Sequence, residues 1–335
     1  MKNEQELKYQ HRFIESLKLS VSDNISLADE LSDILGLSTD SIYRRLRCET
    51  AISIDEMALI ARKFKLNLVE LLREDGNNNS VSFNYTSLYH NPELLKQHFK
   101  NMLSQLRGCA ESNEKHIYYA AHEMPLFYYF QFPELTAYKL FYWRKTVLGV
   151  PAYDKMLFDA SDLEPEINEI CHNIYTTYKR CPATEIWTPE SINTIYTQIT
   201  FYLESFLFKN RAIAEKIIQQ TIQMIETIEQ AAIHSNKANP DKAPVEYNLY
   251  LSNINLTGIL IYSEFDSQRI AVHSFNSINS LTTFHAGYTK EAESWIKNTI
   301  KKSSLISGIA ERDRNQFFNQ IKRKLNQLLE QAQNY

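Results

Sequence analysis

LSDILGLSTDSIYRRL at residues 31–46, followed by SIDEMALIARKFKLNLVELL at residues 53–72, carries the punctuation of short helices separated by tight turns. Ser26 offers an N-cap, with Asp29 and Glu30 in the first turn to suit the helix dipole. Leu27, Leu31, Ile34 and Leu35 then recur on one helical face. Gly36 predicts the end of that helix, since glycine takes a left-handed backbone at little cost. Leu37 is expected to plug the core and Ser38 to cap the next helix, Thr39 to Arg47, whose inward anchors Ile42 and Leu46 stand i, i+4. Ser53-Ile54-Asp55-Glu56 is a capping box, opening a helix lined by Met57, Ile60, Ala61 and Phe64. Asn67 to Glu70 repeats the cap logic for a last short helix ending at Leu72.

Upstream, Glu6 to Leu19 places Leu7, Phe13, Ile14 and Leu17 on one stripe, so residues 1–74 predict a five-helix bundle. The polar run Glu74 to Ser80, EDGNNNS, then reads as a linker, assigned to residues 75–80.

This pattern resembles the helix-turn-helix domain of the Cro/C1 (lambda-repressor-like) regulators, including their BetR-like versions. In that family the helix after the glycine turn lies in the major groove. The resemblance implies double-stranded DNA as partner, with contacts from Ser38, Thr39, Asp40, Ser41, Tyr43, Arg44 and Arg47. Arg44 or Arg47 could read guanine or hold phosphate, and Asp40 could accept from cytosine or simply suit the helix dipole. Three positions depart from the family pattern: Ser32 replaces a small Ala, Ala28 replaces a polar phosphate contact, and Arg45 replaces an apolar residue.

Bulk charge gives no hint of such a partner. The chain of 335 residues has a net charge of −4, and residues 1–75 hold 11 Lys/Arg against 14 Asp/Glu, a net of −3. A protein that coats nucleic acid by charge alone is excluded, so any DNA contact must come from a local cluster. Cys48, Cys109, Cys171 and Cys181 show no C-x-x-C spacing and read as free thiols in a reducing compartment. The N-terminal MKNEQELKYQ has no apolar core of a secretory signal, and runs such as Leu256–Tyr262 fall far short of a membrane span. A cytoplasmic protein without membrane contact is expected.

The remainder reads as helix first and sheet later. Asn91-Pro92-Glu93 opens a helix that stops at Gly108, and His116 to Ala121 reads as a short strand or the start of a buried segment. The stretch 124–149, MPLFYYFQFPELTAYKLFYWRKTVLG, contains a helix from Pro133 to Leu148 that is apolar almost all round. Such a helix is ordinarily central core, although its aromatics, with Arg144, could instead line a ligand pocket. Helices follow at Pro165–Tyr178, Pro189–Phe208 and Arg211–Ala232. Tyr247–Asn253, Gly258–Ser263 and Gln268–Phe275 predict a small antiparallel sheet. A helix over Thr289–Lys302 precedes a terminal helix with a heptad-like seam: Phe318, Ile321, Leu325, Leu328 and Ala332. That seam can pack on its own domain or pair with a second copy.

The expectation is a mainly α protein: a five-helix lambda-repressor-like DNA-binding domain (1–74), an aromatic-rich helical domain (81–238), and a small antiparallel sheet with C-terminal helices (239–335) packed with it. No zinc-helix motif, ligand-spaced His/Cys set, Gly-rich phosphate loop or nucleophile elbow is present. No enzyme activity, metal or cofactor is therefore expected. The functional expectation is a DNA-binding transcriptional regulator, acting as a homodimer, with a small-molecule or protein effector possible. The alternatives are an enzyme or signalling module that the bundle only recruits, and a bundle that binds protein.

Overall fold

The computed structural model describes residues 8–20, 26–64, 66, 68, 81–89, 92–239 and 241–333. Contacts divide the chain into two units, Met1–Ser82 and Phe83–Tyr335. In the first, α1 (Lys8–Ser20), α2 (Leu27–Leu35), α3 (Thr39–Leu46) and α4 (Ile54–Phe64) enclose Phe13, Leu17, Ala28, Leu31, Ile42, Ile60 and Ala61. Fully burying side chains such as Ile42 and Ile60 contributes about 2 kcal/mol each. The predicted last helix, Asn67 to Leu72, falls outside the described residues apart from Leu68, as does the 75–80 linker.

The larger unit runs β1 (Asn84–Tyr85), α5 (Leu95–Glu111), β2 (Lys115–Ala121), α6 (Pro133–Tyr142), α7 (Pro165–Tyr178), β3 (Ala183–Trp187), α8 (Asn193–Glu204) and α9 (Arg211–His234). It continues through β4 (Tyr247–Leu251), β5 (Ile259–Phe265), β6 (Gln268–Phe275), β7 (Asn279–Thr283), α10 (Ala286–Lys301), β8 (Ser304–Leu305) and α11 (Glu311–Ala332). All eight strands form one sheet, in the order β1-β7-β6-β5-β2-β3-β4-β8. The β2/β3 and β3/β4 pairs are parallel and the other five are antiparallel.

This sheet overturns the expected mainly α fold with a small antiparallel sheet. The sheet is mixed, and it draws strands from both 81–238 and 239–335. The reason lies in its centre. All five residues of β3, ATEIW, are buried, and β2 ends in a run of buried residues. Parallel strands covered on both faces lose the polar/apolar alternation that marks a half-exposed strand. Residues 183–187 therefore carry no strand period, and the helix expected over Pro189–Phe208 is confined to Asn193–Glu204. The edge strands β1 and β8 are two residues long, too short to show any period.

Successive side chains of β2 serve opposite layers. Ile117, Tyr119 and Ala121 join the main core, together with Tyr247, Leu249 and the helical layer that includes α5, α6, α7 and α9. Ala120 joins Ile186, Leu260 and Tyr262 against Ala292 and Ile296 of α10. The heptad-like seam of α11 packs on α9 of its own chain. Phe318, Ile321, Leu325, Leu328 and Ala332 are buried there, which leaves the seam no free face for a second copy. Among the described residues, no helix is long and apolar enough to cross a membrane.

Candidate nucleic-acid interface

Three local devices set the angle between α2 and α3. Ser26 and Ser38 cap the two helices, their hydroxyls accepting from the N–H groups of Asp29 and Ser41, each at 3.4 Å. Gly36 closes α2 in the left-handed conformation, φ 64°, and its N–H donates to the Ser32 carbonyl at 2.9 Å. Ser32 donates its hydroxyl to the Leu37 carbonyl at 2.5 Å, which fastens the turn.

The far end of α3 is held from two sides. Arg45 is half-buried and pairs with Glu56 of α4 at 2.8 Å, and Glu56 also accepts the Ser53 N–H of its capping box at 2.7 Å. Burial alone would push the Glu56 carboxyl up, but Ser53 and Arg45 outweigh it and hold it below the ordinary value. From α1, the buried Gln10 amide donates to the carbonyls of Arg45 (3.0 Å) and Thr50 (2.8 Å), and its oxygen accepts from the Ile52 N–H (2.8 Å). Gln10→Ala removes all three bonds, so it is expected to cost the small unit about 2–3 kcal/mol. Faster hydrogen exchange of the α3 amides, with the larger unit unaffected, is the readout.

With α3 so fixed, Ser38, Thr39, Asp40, Tyr43, Arg44 and Arg47 are exposed, and all but Ser38 follow the i, i+3, i+4 spacing of one face. Ser41 does not join them as a free donor: it is half-buried and its hydroxyl lies 3.0 Å from that of Ser38. Both exposed arginines already face carboxylates. Arg44 meets Asp40 at 3.4 Å, and Arg47 meets Glu49 through two nitrogens, at 2.8 and 3.2 Å. Glu49 reaches back because Cys48 turns the chain with φ 58°. The Glu49 hydrogen bond and charge raise the Arg47 pKa.

α11 carries a basic run, Lys322-Arg323-Lys324, in which Lys322 pairs with Glu229 at 2.9 Å and Lys324 donates to Asn193 at 3.1 Å.

The aromatic helix α6 is core. Tyr138, Phe141, Phe158, Tyr202 and Phe208 pack edge to face and stacked around it. The space beside Arg144 is about 20 Å³, little more than one water requires. Arg144 itself is bound to Tyr153 at 2.9 Å and Glu164 at 3.3 Å.

Two buried charged clusters escaped sequence reading. The Glu185 carboxylate, fully buried on β3, accepts four bonds: Tyr128 and Tyr178 at 2.6 Å each, the Trp187 indole at 2.9 Å and Tyr247 at 3.1 Å. Burial raises its pKa against the opposing pull of Lys237 and the three phenols. Lys237 lies with its ammonium 3.5 Å from the Tyr178 ring centroid. Elsewhere, Lys139 donates to Gln198 at 2.8 Å and lies 4.6 to 5.5 Å from the rings of Tyr129, Trp143 and Tyr142. Such cation–π contacts soften the cost of a buried ammonium without removing it.

Burial, partly opposed by Glu123, lowers Lys139 to about 8 from 10.5. The folded state then binds fewer protons than the unfolded one between those two values. The penalty is complete below pH 8 and is relieved as pH rises toward 10.5. Lys139→Met is expected to stabilise the larger unit near neutrality and to reduce the rise of its stability between about pH 8 and 10, leaving the share that Lys237, lowered by burial to about 8, contributes. Urea unfolding across that range reads both effects.

Among the described residues, no group of three or more His, Cys, Asp or Glu is arranged to hold a metal. Comparisons with protein-family models, curated proteins and solved structures return no match to the chain.

Proposed function

We propose that the protein is a sequence-specific DNA-binding transcriptional regulator, with α3 as its recognition helix in the major groove. The observation that carries this reading is the α2–Gly36–α3 unit: two capped helices joined by a three-residue turn, leaving Thr39, Asp40, Tyr43, Arg44 and Arg47 exposed on one face. The resemblance to Cro/C1 regulators adds to it. Thr39 and Asp40 would meet base edges at the helix start, and Arg44 and Arg47 would take phosphate or guanine, each exchanging a carboxylate partner for the nucleic acid. Tyr43, about half exposed, offers a ring and a hydroxyl beside them. A cytoplasmic homodimer reading paired half-sites completes the proposal, with the larger unit supplying dimerisation and the response to an effector.

Phosphate contacts release counterions, so binding is expected to weaken as salt rises, with a slope set by the few basic residues of the cluster. Anisotropy titrations of labelled duplex DNA over increasing salt test this. A falling affinity with a linear log–log slope supports the reading. No saturable binding at low salt contradicts it.

A further inference from the structure

A pocket of about 220 Å³ opens between α5 and the β2-β5-β6-β7 face of the sheet, entirely within the larger unit. Met102, Leu106, Ile261, Phe265, Ile270 and Val272 give it an apolar wall. Among the described residues, no Lys, Arg, Asp or Glu lines it. Three of its lining residues, however, carry polar atoms with no protein partner: His98 Nε2, the Tyr119 hydroxyl, and both the oxygen and nitrogen of the Asn279 amide. These residues are only 8 %, 1 % and 1 % exposed. Unpaired polar atoms buried to that degree are costly. The atoms themselves are closed to solvent behind the pocket lining, and an occupant toward which these side chains turn would satisfy them.

Their chemistry narrows the occupant. Burial lowers the His98 pKa, against a smaller opposing effect of the Ile278 backbone. The His98 Nε2 is a donor or an acceptor according to the ring's tautomer. Asn279 offers a donor and an acceptor side by side, and the Tyr119 hydroxyl offers either. A cationic or anionic head would be desolvated here without a counter-charge. A carboxamide matches the Asn279 amide in a reciprocal pair. The volume equals about seven waters, enough for a short aliphatic body.

We infer that this pocket binds a neutral, largely apolar small molecule through a carboxamide-type head, held by Asn279 with His98 and Tyr119. The inference is independent of the DNA reading, since binding is measured without DNA.

Isothermal titration of the full chain with octanamide, octanoate and octylammonium at pH 7.5 tests it. Octanamide is expected to bind at one site, with the two charged analogues at least tenfold weaker. Asn279→Leu should lose at least tenfold for octanamide, and Ile261→Trp, which fills the space, should abolish binding. Equal affinity for all three heads, no saturable octanamide binding, or octanamide binding undiminished in a folded Ile261→Trp variant would each overturn the proposal. The head-group comparison needs only the unmodified chain, so the test survives if a variant does not fold.

Discussion

Glu185→Ala is expected to destabilise the larger unit by about 4–6 kcal/mol, comparable to the whole stability of many domains. The substitution leaves three phenols and an indole without their shared acceptor, inside a site that no solvent reaches. Each stranded donor costs roughly 1–3 kcal/mol, and water entering the vacated space recovers only part of the sum. The donors come from the segment before α6 and from α7, β3 and β4, so one carboxylate ties the helical layer to the centre of the sheet. Glu185→Gln should cost much less, because its carbonyl still accepts while its amide can donate to a phenol oxygen. All three tryptophans, Trp143, Trp187 and Trp295, lie in the larger unit. Urea unfolding followed by tryptophan fluorescence therefore reports that unit alone. Equal midpoints for Glu185→Ala and the unmodified chain would show that the cluster contributes nothing.

The two units differ in how far their sequences could be read, for a physical reason. In the small unit the decisive signals are local. Ser26, Ser38 and the Ser53–Glu56 box cap helices within three residues of themselves, and Gly36 takes the left-handed turn its position predicts. In the larger unit the sheet is assembled from distant segments. β3 carries Glu185 among apolar neighbours, and only the fold reveals that Tyr128, Tyr178 and Tyr247 converge on it. The exposed face of α3 was legible from helical spacing. Its partial neutralisation was not, because Glu49 reaches Arg47 only through the left-handed Cys48. The sheet-side pocket was equally hidden, since its unpaired polar groups sit at 98, 119 and 279.

Arg44→Ala with Arg47→Ala is expected to weaken specific DNA binding by at least about 100-fold, since each bidentate contact to a guanine is worth roughly 1–3 kcal/mol. The fold should be unchanged, because both side chains are largely exposed and their carboxylate partners Asp40 and Glu49 are too. Exposed pairs of this kind contribute little to stability. If the arginines instead hold phosphates in a dimer, losing all four should lower the steepness of the salt dependence by about 3–4. Glu49→Gln works in the opposite direction. It frees the Arg47 guanidinium and is expected to tighten DNA binding several-fold. Anisotropy with circular dichroism as the folding control distinguishes these outcomes. Unchanged affinity in the double variant would remove α3 from the interface.

The central claim is that α3 reads DNA sequence, and selection of bound fragments from a genomic library tests it most directly. The unmodified chain is expected to enrich a defined motif, as two half-sites about one helical turn apart if it acts as a dimer. The Arg44→Ala, Arg47→Ala variant should enrich none. Fragments recovered without any common motif, or the same motif recovered by both chains, would contradict the assignment of α3 as the recognition helix.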